Sequence, residues 1–197
     1  MKSLSVLLVL VAAVGTDKIP DFVVPGQCPA IDEYKLWTHQ VPHLHNYAGV
    51  WYEFALTPNP YQLLKKCVRN EYVFDGKQFL ISSTGISGFG TVLSRVGKLY
   101  PNLFGEPHFS IDYENTFGAP YVILDTDYTN YACVYSCISY NLKYYSDFAF
   151  VFSRSPVLAD KFVKQCEAVF KSIHVDTSRF IQTPQGPFCD YGLKKFL

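Results

Sequence analysis

Between residues 51 and 153 the chain breaks into short, half-apolar runs separated by turn residues. Trp51–Thr57, Cys67–Phe74, Gln78–Gly85, Thr91–Tyr100, Pro107–Tyr113, Tyr121–Thr126, Thr129–Ser139 and Tyr144–Ser153 carry the β-branched and aromatic content of strands. Asp75-Gly76, the cluster Gly85, Gly88 and Gly90, Pro101-Asn102 and Gly118-Ala-Pro120 punctuate them. These eight runs at near-regular spacing predict an all-β fold, an eight-stranded up-and-down antiparallel barrel that loses its open edges by closing. No helix follows the glycine cluster, so it reads as a turn and not as a phosphate-binding loop. The period changes after Arg154. Leu158, Phe162, Cys166, Val169, Phe170 and Ile173 recur at helical spacing, with Ser155 as the expected cap and Pro156 at the first position. One C-terminal α-helix is predicted, and its apolar stripe has to pack on the outside of the barrel.

The chain has 197 residues, enough for one domain with a sizeable core. Met1–Gly15 combines an early Lys2, a short apolar run and small residues at its end. It reads as a secretory signal peptide, with residues 1–16 removed and 17–197 forming the domain. No other apolar run is long enough for a transmembrane helix, so a secreted, extracellular product is expected. The 17 basic and 17 acidic residues balance, and loss of Lys2 leaves a slight negative excess. That balance argues against nucleic acid or a membrane surface as partner. Six cysteines in a secreted chain read as three disulfides, with fifteen connectivities open in principle. Their spacings lack the paired knuckles of a zinc site, and Cys133-x-x-x-Cys137 is not a thioredoxin-type pair. Phe, Trp and Tyr make up 17% of the chain and the only Met is the initiator, so cavity walls built here would be rigid and flat.

Gly49-x-Trp51, Thr126-Asp127-Tyr128 after the run Tyr121–Leu124, and Arg154 at the end of the last strand follow one another in a telling order. On these residues the chain resembles the lipocalins. The resemblance implies a barrel with an internal ligand cavity. It gives Gly49, Trp51, Thr126, Asp127, Tyr128 and Arg154 structural roles, with Arg154 stacked on the Trp51 indole at the barrel floor. Asp17–Cys28, Tyr47–Tyr52, Glu106–Glu114 and Cys133–Cys137 narrow the likeness. They resemble the crustacyanins, the carotenoid-binding lipocalins of crustacean shell, and among these the crustacyanin-C type of subunit. That likeness implies astaxanthin as a non-covalent ligand and a red-to-blue shift on binding. It also implies pairing with a second crustacyanin-type subunit as a heterodimer, with higher assembly beyond.

Strand residues alternate between cavity and exterior. Cys133 and Cys137 share one face, and a bond from Cys133 to the helix cysteine Cys166 requires that face to be the outer one. Ala132, Val134 and Ser136 then point inward. In the next strand Phe148, Phe150 and Phe152 follow them, while Ala149 and Val151 lie under the helix. If Cys67 is tied to Cys189 in the tail, Val68, Asn70, Tyr72 and Phe74 turn inward. Cys28 is then left to pair with Cys137. Each such link contributes roughly 2–4 kcal/mol.

Glu53 shares the parity of Trp51 and is expected in the lower cavity, where crustacyanins commonly carry Gln. A carboxyl buried among rings is pushed toward its neutral, donating form. The competing reading pairs it with a local cation. The family likeness carries a ligand-facing role onto His108, with Ser110 alternating beside it and Tyr113 just beyond. Parity adds Asn70, Tyr72, Val134 and Phe150 to this ligand-binding set. Hydrogen bonds to the pigment's keto groups, and flat walls that keep its end rings coplanar with the polyene, would both lower the excitation energy.

A lipocalin-sized barrel holds one small ligand. Its strands span about 17–20 Å, whereas a full carotenoid is on the order of 30 Å, like a bilayer's hydrocarbon core. The protruding half needs an apolar cover, which a second barrel at the mouth supplies. Tyr61, Phe89, Phe104 and Phe117 are the apolar loop residues expected there. A smaller ligand such as biliverdin, a retinoid or another lipid is the alternative, and it needs no partner. Enzymatic activity is not expected, because no Ser/His/Asp set is visible and every cysteine has a place in the pairing scheme. His39, His43 and His45 precede the barrel with no carboxylate or Cys to complete a site, so they read as a solvated turn and no metal is expected.

Overall fold

The computed structural model describes residues 22–32, 36, 41–101, 108–113, 118–140 and 143–191. The leader expected at 1–16, His39, Phe104 and Phe117 lie outside the described residues. After a short β1 (Val23–Pro25) come the barrel strands β2 (Gly49–Leu56), β3 (Leu64–Phe74), β4 (Phe79–Ser87), β5 (Val92–Pro101), β6 (Phe109–Tyr113), β7 (Gly118–Thr126), β8 (Tyr131–Ser139) and β9 (Tyr144–Ser153). Each pairs antiparallel with its neighbour in sequence, and β9 returns to β2 through Tyr52↔Ser153 and Glu53↔Phe152. The sheet therefore closes as an eight-stranded barrel, as the alternation predicts. Outside this ring, β1 lies on β9, and β10 (Ile181–Gln182) lies on β2. Among the described residues no helix is long and apolar enough to cross a membrane.

The floor is assembled from three distant segments. A 3-10 helix, Val41–Tyr47, inserts the fully buried Tyr47, and the Trp51 indole N–H donates to the Tyr47 carbonyl at 2.8 Å. The Arg154 guanidinium lies 3.8 Å over the Trp51 ring. It donates to the carbonyls of Tyr128, Val50 and Asn46 at 2.9, 2.9 and 2.7 Å. Tyr128 reaches it from a left-handed backbone, φ 63. Asp127 holds that turn by accepting the N–H groups of Thr129, Asn130 and Tyr131. Thr126 accepts from the Tyr128 N–H and donates to the Tyr131 carbonyl. Gly49 sits at φ 97, and a Cβ there would stand 3.2 Å from Arg154 Nη1.

Two apolar layers flank the wall. The inner one contains Trp51, Tyr72, Phe79, Phe109, Tyr121, Val134 and Phe152. The outer one gathers Tyr131, Cys133, Tyr135, Ala149 and Val151 beneath Cys166 and Phe170 of α1 (Asp160–Ser172). The inward and outward faces of β8 and β9 are thus those that alternation predicts. The helix start is a correction. Ser155 and Pro156 do not open it; Ala159 is the N-cap residue and makes no side-chain cap bond. Ser155 instead accepts the Val157 N–H in the preceding turn, which leaves Leu158 room to bury before the helix begins.

The disulfides are Cys28–Cys137, Cys67–Cys189 and Cys133–Cys166, the expected scheme. The first two anchor the tails and the third anchors the helix. Such a set suits an oxidising compartment.

Gly49→Ala is expected to destabilise the protein by about 1–3 kcal/mol, from backbone strain plus displacement of Arg154. Gly76 has a similar φ of 97 but nothing near its missing Cβ, so Gly76→Ala should cost less. Urea unfolding of both variants measures the difference, and equal losses would remove the Arg154 contact as the cause.

Candidate ligand-binding site

At the bottom of the cavity, just above the floor, three tyrosine hydroxyls meet. Tyr47 and Tyr121 share a hydrogen bond at 2.7 Å, and Tyr72 approaches Tyr121 at 3.3 Å. Burial pushes all three phenols well above their ordinary range, so this layer stays neutral. The Tyr47 ring packs edge-on against Tyr72, Phe79 and Tyr121, and Tyr72 packs edge-on against Phe79.

A polar belt sits above them. Ser83 on β4 donates to Asn70 Oδ1 at 2.6 Å and lies 3.0 Å from the Tyr113 hydroxyl. Its single proton is committed to Asn70, so Tyr113 donates to Ser83. Glu53, only 2% exposed, is held at both oxygens. Thr183 Oγ1 donates to Oε1 at 2.7 Å and Gln62 Nε2 to Oε2 at 2.8 Å. Burial pushes the Glu53 carboxyl from its ordinary 4.5 to about 7, opposed by the Thr183 hydrogen bond and by the Lys65 charge. No ion pair to Glu53 occurs among the described residues; two neutral donors hold the carboxyl. On the neighbouring strand β9, Phe150 and Phe152 stack with ring planes 3° apart, Phe152 directly beside Glu53.

The sequence-predicted residues therefore separate. Glu53, Asn70, Tyr72, Tyr113, Val134 and Phe150 share the inner face. Ser110 does not. Phe109, Ile111 and Tyr113 are the β6 residues that face the inner core, which turns Ser110 and Asp112 outward. The apolar phase of the strand wins, because its partner Tyr121 is itself fixed at the floor. Asp112 lines an exterior hollow with Val73, Leu80, Val96 and Lys98. His108 is buried one residue before β6.

The reading from sequence missed four polar neighbours. Ser83 was detectable by alternation with Phe79 and Ile81. Arg95 shares the parity of Gly97 and Leu99 and places its guanidinium 4.8 Å over the Tyr113 ring. Gln62 and Thr183 carry no local signal, because they reach Glu53 from a loop and from the tail.

A family model described as the lipocalin and cytosolic fatty-acid binding protein family matches residues 48–186. The chain is a lipocalin. It is 67% identical over 181 residues to the Crustacyanin-C1 subunit of Homarus gammarus, covering 92% of this chain and 100% of that one. The solved structure of apocrustacyanin C1 superposes with a TM-score of 0.88 over 91% of this chain and 100% of that one. The bilin-binding protein of Pieris brassicae is 31% identical over 170 residues, 78% of each chain. Within the lipocalin family, this chain belongs with the crustacyanins.

The raised Glu53 value has a stability consequence. A carboxyl raised on folding stabilises the native state at pH below its unfolded value, and that contribution is lost as pH rises through the folded value. Relative to Glu53→Gln, this lipocalin is expected to lose about 3 kcal/mol between roughly pH 4 and pH 8. Denaturant titrations at the two pH values test this. Parallel losses in both proteins would mean that Glu53 titrates at its ordinary value in the fold.

Proposed function

We propose that the protein is a secreted, non-enzymatic carrier that holds the carotenoid astaxanthin in its barrel and shifts the pigment's colour toward blue. The observation that carries this reading is the belt of Glu53, Asn70, Ser83 and Tyr113 directly above a sealed, neutral tyrosine floor. A keto-bearing end ring entering this aromatic sleeve meets the Asn70 amide and the neutral form of Glu53 as donors at its tip, and flat walls along its sides. Glu53, with a value near 7, offers both a donating and an accepting form around neutral pH. Tyr72 bounds the ring from below, and Val134 with the parallel rings of Phe150 and Phe152 forms the wall. His108 enters the proposal through the family likeness. The crustacyanin relatives support this ligand class.

Length argues for a partner. The pigment exceeds one barrel by about half, and apolar groups are exposed where it would emerge. Phe89 is 98% exposed at the β4–β5 tip, and Tyr61 and Leu63 are exposed in the β2–β3 loop. A second crustacyanin-type lipocalin, forming a heterodimer, covers the protruding half. Among the described residues no group of three or more metal-ligating side chains comes together.

The second reading is a bilin such as biliverdin. Arg95, turned inward over Tyr113, brings a cation to the inner face, and a ligand carboxylate is the group such a charge attracts. Reconstitution of the unliganded protein with astaxanthin and with biliverdin separates the two. Retained astaxanthin with a red-shifted band supports the first reading, and retention of biliverdin alone overturns it. In the astaxanthin complex, His108→Ala and Tyr113→Phe are each expected to move the band back toward the free pigment while leaving the fold intact by circular dichroism. Light scattering should give at least a dimer for the coloured species.

A further inference from the structure

The β2–β3 ladder ends at Tyr52↔Arg69, and β3 then bulges through Lys66–Arg69 with Cys67 at φ 55. A wall that parts at this level would open beside Glu53. The C-terminal segment fills the part. Ile181 and Gln182 pair with Leu56 and Ala55, the Thr183 N–H donates to the Phe54 carbonyl at 2.9 Å, and the Cys67 N–H donates to the Pro184 carbonyl at 2.8 Å. Gln185 Nε2 bridges the Glu53 and Val68 carbonyls at 2.9 Å each, and Tyr191 holds Gln185 Oε1 at 2.7 Å. The Cys67–Cys189 bond then ties the strap down. Thr183 is its buried side chain at the cavity, 2% exposed, and its hydroxyl donates to Glu53 Oε1.

We propose that this C-terminal strap is a working part of the ligand site, and that Thr183 is a positioning residue that orients the Glu53 carboxyl and favours its ionised form. The inference rests on the reading of Glu53 as a ligand-facing group. The chemistry follows from proton inventory. An ionised Glu53 accepts from both Thr183 and Gln62. A neutral acid with its proton on Oε1 requires the Thr183 hydroxyl to turn and accept. The other groups that bear on the carboxyl are Lys65, whose charge also favours ionisation, and Tyr72 and Tyr113 across the cavity. Both tyrosines stay neutral at neutral pH, so Thr183 and Gln62 are the close hydrogen-bonding partners of Glu53 in this balance. Burial is the larger influence and favours the neutral acid; the strap, through Thr183, biases the carboxyl back toward its ionised form.

The test begins with unliganded protein, by carbon-13 NMR titration of glutamate carboxyls, with Glu53→Gln assigning the Glu53 signal. Thr183→Val keeps the side-chain shape and removes the donor. The midpoint should rise by about one pH unit or more, since a hydrogen bond to a charged group is withdrawn. Thr183→Ser should restore it. Thr183→Ala serves as the second variant if the valine disturbs folding. An unchanged midpoint in a folded Thr183→Val or Thr183→Ala protein overturns the proposal. The same variants loaded with astaxanthin are then followed by absorption against pH. A band whose pH midpoint moves with the NMR midpoint supports both the strap and the ligand-facing role of Glu53. An NMR midpoint that moves while the band ignores pH supports the strap and overturns the ligand role of Glu53.

Discussion

The Arg154 guanidinium is the interaction on which the barrel depends. It reaches backbone carbonyls in the 3-10 helix, in β2 and in the β7–β8 turn, and it covers the Trp51 ring. Asn46 and Val50 are close in sequence, but Tyr128 and Arg154 itself lie far from them, and one planar cation with fixed donor directions can satisfy all three carbonyls at once. Burial pulls the Arg154 pKa down, yet a guanidinium starts so high that it stays charged. The closing β2–β9 pair lies immediately beside this clamp. Gly49 is required because the guanidinium occupies the space that a side chain would take.

From that closed end the interior is built in layers of increasing polarity. Aromatic rings fill the floor, and their hydroxyls bond to one another, so no charge is buried there without a partner. The polar belt follows, and every group in it is either neutral or able to become neutral near physiological pH. This is the environment in which a long apolar ligand with a polar tip is held by its end. On the outside, α1 and the Cys133–Cys166 bond press on the same wall, with Phe162 stacked on Tyr131 and Phe170 packed against Phe180. The wall is therefore buried on both faces, which keeps the inner rings in fixed positions.

The exposed aromatics at the mouth have a different status. Phe89 lies between Gly88 and Gly90 at a hairpin tip, supported by Ser87 and Thr91 hydrogen bonds and not by packing. An unsupported phenyl ring in water has no role in folding. Its exposure marks the β4–β5 tip as a surface of a different kind from the packed wall.

Strand number, order and facing were legible in the sequence, because a two-residue period is a local property and each strand carries its own copy of it. The outward facing of Cys133 and Cys137 followed from the same parity once Cys133 was matched with the helix stripe, whereas the Cys67–Cys189 link was an assumption about the tail that the structure bears out. The floor signature was legible because Gly49, Trp51 and Arg154 answer steric and cationic demands that few residue types meet. Burial of Glu53 was also legible, through its phase with Trp51. Three things were misread or not legible. In β6, the family likeness that turned His108 inward carried Ser110 with it, against the apolar phase of Phe109, Ile111 and Tyr113 that the Phe109–Tyr121 pairing fixes at the floor. The helix start moved from Ser155 to Asp160, because burial of Leu158 under the barrel outweighed a local capping signal. The partner of Glu53 came from a tail residue 130 positions away, and only closure of the barrel, with β2 and β3 parting beside it, made a place for that tail. Local periodicity specifies which way a side chain faces; what it meets there is set by chain closure over long separations, which no local pattern encodes.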